Sequence, residues 1–128
     1  MANERILIVD DAPLNLKLAA MILEKEGYRV HRARDADEAW IYLDTTRPDL
    51  ILLDIQMPGM DGMEMVRRLK AEPATAGIAV VALTAHAMRG DDLKAYAAGF
   101  DGYITKPIDT PSFKLQVREF LDRNSRTA

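Results

Sequence analysis

The chain has 128 residues, 48% of them hydrophobic and 29% charged, with a net charge of −3 and no cysteine. That length suits one ordinary domain with its own core, and the missing cysteine excludes disulfides, thiolate metal sites and cysteine nucleophiles. No apolar run approaches the ~20 residues of a membrane span, Met1-Ala2-Asn3-Glu4 lacks signal-peptide character, and Arg67-Arg68 with Arg123 and Arg126 form no basic stripe for nucleic acid.

Ile6-Leu7-Ile8-Val9 reads as a first strand and runs directly into Asp10-Asp11. Leu14, Leu18, Met21 and Ile22 then recur at helical spacing, and Gly27 is placed to end that helix. Tyr28 to Ala33 is a second strand whose Arg29, His31 and Arg32 suit a sheet edge. Ala36, Ala39, Trp40 and Leu43 mark a second helix, with Asp35 as its N-cap. After Arg47-Pro48, Leu50-Ile51-Leu52-Leu53 forms a third strand that ends at Asp54. Pro58-Gly59-Met60-Asp61-Gly62 is a loop before a short helix with Met65, Val66 and Leu69 inward. Val80-Val81-Ala82-Leu83 leads to Thr84, and Leu93, Tyr96, Ala97 and Phe100 make a further helical stripe closed near Gly99. Tyr103-Ile104-Thr105 is a weaker strand running into Lys106. Thr110-Pro111 reads as N-cap and first residue of a last helix that buries Phe113, Val117, Phe120 and Leu121. The methionines are read as packing residues. A single domain over 1–123 with a frayed tail over 124–128 is expected.

Strands alternating with helices argue for an α/β fold with a parallel sheet. The first, third and fourth strands are almost wholly apolar, as strands covered on both faces are. The expected fold is one doubly wound, flavodoxin-like sheet of five parallel strands in the order 2-1-3-4-5, with five flanking helices. Ligands of such sheets bind at the carboxyl ends of the strands, beside the point where the strand order reverses. Asp10, Asp11 and Asp54 should meet there, with Thr84 and Lys106 on adjoining strand ends.

Three carboxylates brought together repel one another unless a cation joins them. A hard ion such as Mg²⁺, or Mn²⁺, suits an all-oxygen donor set. The charges balance, since three carboxylates carry −3 against +2 for the ion and +1 for Lys106. A phosphoryl group arriving here would meet cation, ammonium and hydroxyl, the usual stabilisers of phosphoryl transfer. A carboxylate can itself be the nucleophile.

Asp10-Asp11, the stretch Leu53-Asp54-Ile55-Gln56-Met57-Pro58-Gly59-Met60-Asp61-Gly62, Leu83-Thr84-Ala85 and Lys106-Pro107 occur in this order along nearly the whole chain. Together they resemble the receiver domain of two-component response regulators, of the chemotaxis or cell-cycle single-domain type. The resemblance implies that Asp54 accepts a phosphoryl group from a phosphohistidine on a histidine kinase or histidine phosphotransfer protein. It implies Mg²⁺ held by Asp11, Asp54 and the backbone carbonyl of Gln56, with Asp10 reaching it through water. Thr84 and Lys106 would contact the phosphoryl group, and the Lys106–Pro107 peptide would be cis. Tyr103 matches the family's switch aromatic, which turns inward when Thr84 moves and so alters the face made by the preceding helix, the fifth strand and the last helix. Gln56 and His86 occupy positions at which the family varies access of water to the phosphoryl group. Asn15 sits on the first helix near the pocket mouth, placed either for a kinase partner to dock against or simply to face solvent. Such a protein is no enzyme beyond its own phosphorylation and dephosphorylation. It signals in the cytoplasm to a downstream protein, as a monomer or a weak phosphorylation-dependent dimer, without direct contact with nucleic acid or membrane.

Plainer roles stand beside these. Asp11 would serve as an ordinary cap of the first helix, Thr84 as another cap, Lys106 as a surface lysine, and Tyr103 as simple packing. His31 reads as a strand residue. A phosphohydrolase similar to the haloacid dehalogenase superfamily would need a second acid two residues past its nucleophile, where Gln56 stands, and a nucleophile on the first strand. A nucleotide-binding module would need a glycine-rich turn after strand one, where Asp10-Asp11-Ala12-Pro13 stands. Met1 and the short tail favour a stand-alone regulator over the receiver part of a longer hybrid kinase or effector.

Overall fold

A computed structural model describes residues 4–54, 62–84, 99–105 and 109–127. Five strands, β1 (Arg5–Val9), β2 (Arg29–Ala33), β3 (Leu50–Asp54), β4 (Ala79–Thr84) and β5 (Gly102–Thr105), form one sheet in the order β2-β1-β3-β4-β5. Every pairing is parallel, with Ile6 opposite both Val30 and Leu50, Asp54 opposite Leu83, and Thr84 opposite Thr105. Four helices are described: α1 (Pro13–Lys25), α2 (Ala36–Thr45), α3 (Gly62–Ala71) and α4 (Thr110–Thr127). The helix expected around Leu93 lies outside the described residues. No helix among the described residues is long and apolar enough to cross a membrane.

Side chains alternate across a strand, so a sheet covered on both faces has two cores. Leu7, Val9, Ile51, Leu53, Val80 and Ala82 pack with Ala39, Leu43, Val66 and Leu69 of α2 and α3. Ile6, Ile8, Leu50, Leu52, Val81 and Leu83 pack with α1 and α4 on the opposite face. Hence β3 and β4 are buried throughout, while β2, at the edge, exposes Arg29, His31 and Arg32.

The helix ends follow local chemistry. At the end of α1, Gly27 takes φ +94°, the Gly27 N–H donates to the Glu24 carbonyl at 3.0 Å, and the Tyr28 N–H donates to the Leu23 carbonyl at 3.2 Å. That pair of bonds is the Schellman arrangement, which glycine permits because it lacks a Cβ. Asp35 caps α2 by accepting the Glu38 N–H at 2.8 Å. Glu38 reaches back to the Arg34 N–H at 2.6 Å, one residue further than in the usual reciprocal box. The α4 start differs from expectation by one residue. Asp109 is the capping side chain, accepting from the Ser112 N–H at 3.3 Å, and Thr110 is already helical.

The larger correction concerns α1. The buried residues are Leu16, Ala19, Ala20, Ile22 and Leu23, whereas Leu14, Leu18 and Met21 are 82%, 45% and 47% exposed. Both sets obey helical spacing, so periodicity alone did not separate them. The sheet takes the side bearing Ala19 and Ala20, whose small side chains let the helix approach closely. A second apolar stripe is left at the solvent side, and Met21 is not a core residue. Between α2 and α3, Arg68 lays its guanidinium 4.7 Å from the ring centroid of half-buried Trp40.

Candidate functional site

The parallel sheet brings the ends of β1, β3 and β4 to one edge. Val9 lies opposite Leu53, so the next residues, Asp10 and Asp54, emerge side by side. Thr84 ends the neighbouring strand one position past Leu83, the partner of Asp54. Asp10, Asp54 and Thr84 are all buried, at 1%, 4% and 3% exposure. The buried polar side chains among the described residues are these and Thr75, so three of the four gather at this one edge.

Asp10 is held by its own backbone. Its N–H donates to the Ala33 carbonyl at 3.0 Å, tying it to the end of β2, and its carboxylate accepts the Ala12 N–H at 2.9 Å. The exposed Asp11 does not cap α1: the N-cap position is Ala12, and no side chain caps that helix. The plainer role for Asp11 therefore fails. One carboxylate oxygen from each of Asp10, Asp11 and Asp54 lies within 4.8 Å of the others.

Like charges this close raise the free energy of the folded chain unless a cation joins them. Among the described residues the donor set is all carboxylate oxygen, and that selects a hard ion over a softer transition metal. Mg²⁺ coordinates oxygen at ~2.1 Å and so spans oxygens up to about 4.2 Å apart. Because Mg²⁺ keeps waters in its shell, a spacing of up to 4.8 Å suits direct binding by some of these carboxylates and a water bridge to another, so the residues present fit the ion.

Of the other expected site residues, Tyr103 is half-buried on β5 and packs against the core on the α2–α3 side of the sheet. Gln56, His86, Lys106 and Pro107 lie outside the described residues. Asn15 is exposed on α1, and beside it run Leu14, Leu18 and Met21, three of the four residues whose spacing marks the helix, exposed while Ile22, the fourth, is buried. The signal for this exposed stripe was present in the sequence. Leu16, Ala19, Ala20 and Leu23 form a complete apolar face by themselves, so a second apolar face on the same helix had to remain uncovered by the sheet.

Comparison with known proteins agrees with this geometry. The family model described as "Response regulator receiver domain" matches residues 6–118. The polar-differentiation response regulator DivK of Brucella anthropi is 40% identical over 116 residues, covering 91% of this chain and 94% of that protein. A CheY-like response regulator receiver domain protein from Methanospirillum hungatei superposes with a TM-score of 0.89 at 31% identity, covering 99% of this chain and all of that one (100%). The receiver domain of a sensor histidine kinase from Pseudomonas aeruginosa superposes with a TM-score of 0.83 at 30% identity, covering 94% and 99% of the two chains. That structure has a magnesium ion coordinated in its active-site cleft. With the predicted strand order present and the acidic residues gathered at the strand ends, this chain belongs to the response regulator receiver family and is a receiver domain of a two-component system.

Proposed function

We propose that Asp54 is the phosphoacceptor of this receiver, taking a phosphoryl group from a phosphohistidine on a histidine kinase or phosphotransfer protein. The observation that carries the reading is the placement of Asp54, 4% exposed at the end of an otherwise apolar strand and within 4.8 Å of two further carboxylates. A carboxylate oxygen of Asp54 attacks phosphorus as the P–N bond breaks. The electron pair passes to the imidazole nitrogen, and an aspartyl phosphate results. Asp10, Asp11 and Asp54, with the backbone carbonyl of Gln56, would hold Mg²⁺, with Asp10 reaching it through water. When bound, the ion supplies positive charge that offsets the carboxylates and the phosphoryl oxygens. Thr84 donates its hydroxyl to a phosphoryl oxygen, and Lys106 pairs its ammonium with another. Attack by water then releases inorganic phosphate and restores the Asp54 carboxylate, with Gln56 and His86 setting how readily water enters.

The exposed Leu14–Leu18–Met21 stripe begins three residues after Asp11 and supports a docking role for α1. A donor must press against the pocket mouth to deliver its phosphoryl group, and an apolar stripe beside that mouth gives a helical partner something to bury. Downstream, Thr84 drawn toward the phosphoryl group leaves room for the Tyr103 ring, converting a local charge event into a packing change on the face made by the helix expected before β5, β5 itself and α4. The receiver unit is taken as 1–123, and the protein as a cytoplasmic signalling component that turns over no other substrate.

The test is labelling with Mg²⁺ and acetyl phosphate, or with a phosphorylated histidine kinase. Wild type should be labelled, and Asp54→Asn should fold but take up no phosphate. Undiminished labelling of Asp54→Asn would overturn the assignment.

A further inference from the structure

Lys70, at the outer end of α3, places its ammonium against acceptors from separate parts of the chain. These are the Ile78 carbonyl at 2.8 Å, the Ala76 carbonyl at 3.4 Å and Oδ2 of Asp101 at 3.0 Å. The same Asp101 oxygen accepts the Val80 N–H at 2.7 Å, while the Asp101 N–H donates to the Val80 carbonyl at 2.7 Å. Asp101 thereby adds a rung to the β4–β5 ladder just before the Val81–Gly102 pair, with a side chain standing in for one backbone carbonyl. That substitution puts a negative charge at the ladder end, and the Lys70 ammonium offsets it with a charge-assisted bond. The stem of Lys70 also fills the space beside Gly99, where a Cβ would lie 3.0 Å from Lys70 Cγ and where φ is +116°. One lysine thus fastens α3, the loop leading into β4 and the entry of β5 together.

Tyr103 stands two residues beyond Asp101 and packs in the layer that holds Phe100, Val66 and Leu69. The two rotamers of a ring stay distinct states when the backbone beneath them is held in one place. A strand whose entry drifts accommodates either rotamer by small adjustments, and the two states lose their difference. We infer that Lys70 is a positioning residue for the switch, holding the entry of β5 so that phosphorylation is read out as a discrete movement of Tyr103. The inference rests on the switch role of Tyr103 given under the proposed function.

The test uses the full chain with Mg²⁺ and beryllofluoride as phosphoryl mimic, read by NMR at Tyr103 and Ile104. Lys70→Met keeps the stem and removes the ammonium. Asp101→Asn keeps an oxygen for the Val80 N–H and removes the charge, and Lys70→Arg restores a cation. Ile78→Val serves as a variant that loosens nearby packing without touching the ammonium. Acetyl phosphate should label all four at the wild-type rate. Lys70→Met and Asp101→Asn should lose most of the Tyr103 response, whereas Lys70→Arg and Ile78→Val should keep it. A full response in Lys70→Met and Asp101→Asn, or an equal loss in Ile78→Val, overturns the inference alone. Absence of any Tyr103 response in wild type overturns the switch reading and the inference with it.

Discussion

The two ends of the sheet treat charge in opposite ways. At the entry end, cations and anions alternate. Arg118 meets Glu4 at 2.6 Å and Asp122 at 2.9 Å, Lys114 meets Glu26 at 3.4 Å, and Lys70 meets Asp101 at 3.0 Å. At the exit end, three carboxylates of one sign crowd within 4.8 Å, two of them buried. The first arrangement pairs opposite charges near the surface, while among the described residues the second gathers like charges that a divalent cation would bridge under the proposed function. The proposed site and these ion pairs thus lie at opposite ends of the sheet, joined by strands β3 and β4 that are buried throughout.

Removing one charge from the exit end should have the largest effect. Asp10→Asn should raise the melting temperature without metal, because it relieves repulsion. It should also forfeit much of the stabilisation that Mg²⁺ confers, about 2.7 kcal/mol at ~100 times the dissociation constant. Thermal melts with and without millimolar Mg²⁺ measure both changes. Identical melts of wild type in the two conditions would erase the contrast between the ends.

Packing at β5 comes next. A Cβ at Gly102 would run into the ring of Phe120 on α4, so Gly102→Ala should cost about 2 kcal/mol, within the range for overpacking. Chemical denaturation gives the value. Gly102→Ala combined with Phe120→Leu should recover part of the loss, and failure to do so would place the strain elsewhere.

Breaking the entry-end pairs should matter less. The Arg118 side chain is 40% exposed, so Arg118→Met should cost no more than about 1 kcal/mol and leave Mg²⁺ binding unchanged. A change in metal affinity would mean that the two ends communicate.

The smallest effects are in pH dependence. Hydrogen bonds from the Arg34 N–H and guanidinium hold Glu38 below the usual carboxylate value. Its contribution is therefore present above the unfolded value near 4.5 and lost as pH falls through the folded one. Burial, partly opposed by Arg118, raises Tyr28 above 10.0, so its contribution is present below that pH and fades as pH rises through the folded value. Glu38→Gln should flatten the acid limb of stability against pH, and Tyr28→Phe the alkaline limb.

The legible parts of the sequence were those in which one physical cause dominates. Four-residue apolar runs ending in Asp10, Asp54 and Thr84 gave both the buried strands and the site, since a charged residue next to such a run has few other uses. The polar second strand marked an edge, and Gly27 and Asp35 marked helix ends through backbone needs that few other residues meet. The inward face of α1 was not legible because two apolar stripes compete there, and tertiary fit at Ala19 and Ala20 decided between them. Asp109 was passed over for Thr110 because either can cap a helix that has Pro111 in its first turn. The Lys70–Asp101 contact joins residues 31 apart in sequence, a separation that no local pattern announces.

Trp40 is the single tryptophan of the chain, and the guanidinium of Arg68 sits over its ring from the adjacent helix. An indole's emission colour and yield respond to a nearby charge, so α3 cannot slide or tilt against α2 without altering the intrinsic fluorescence. Since α3 follows closely on Asp54 in sequence, the protein carries its own optical gauge of motion beyond the proposed phosphoacceptor. Stopped-flow emission from Trp40, with Arg68→Met as the blank, would time that motion without any attached dye.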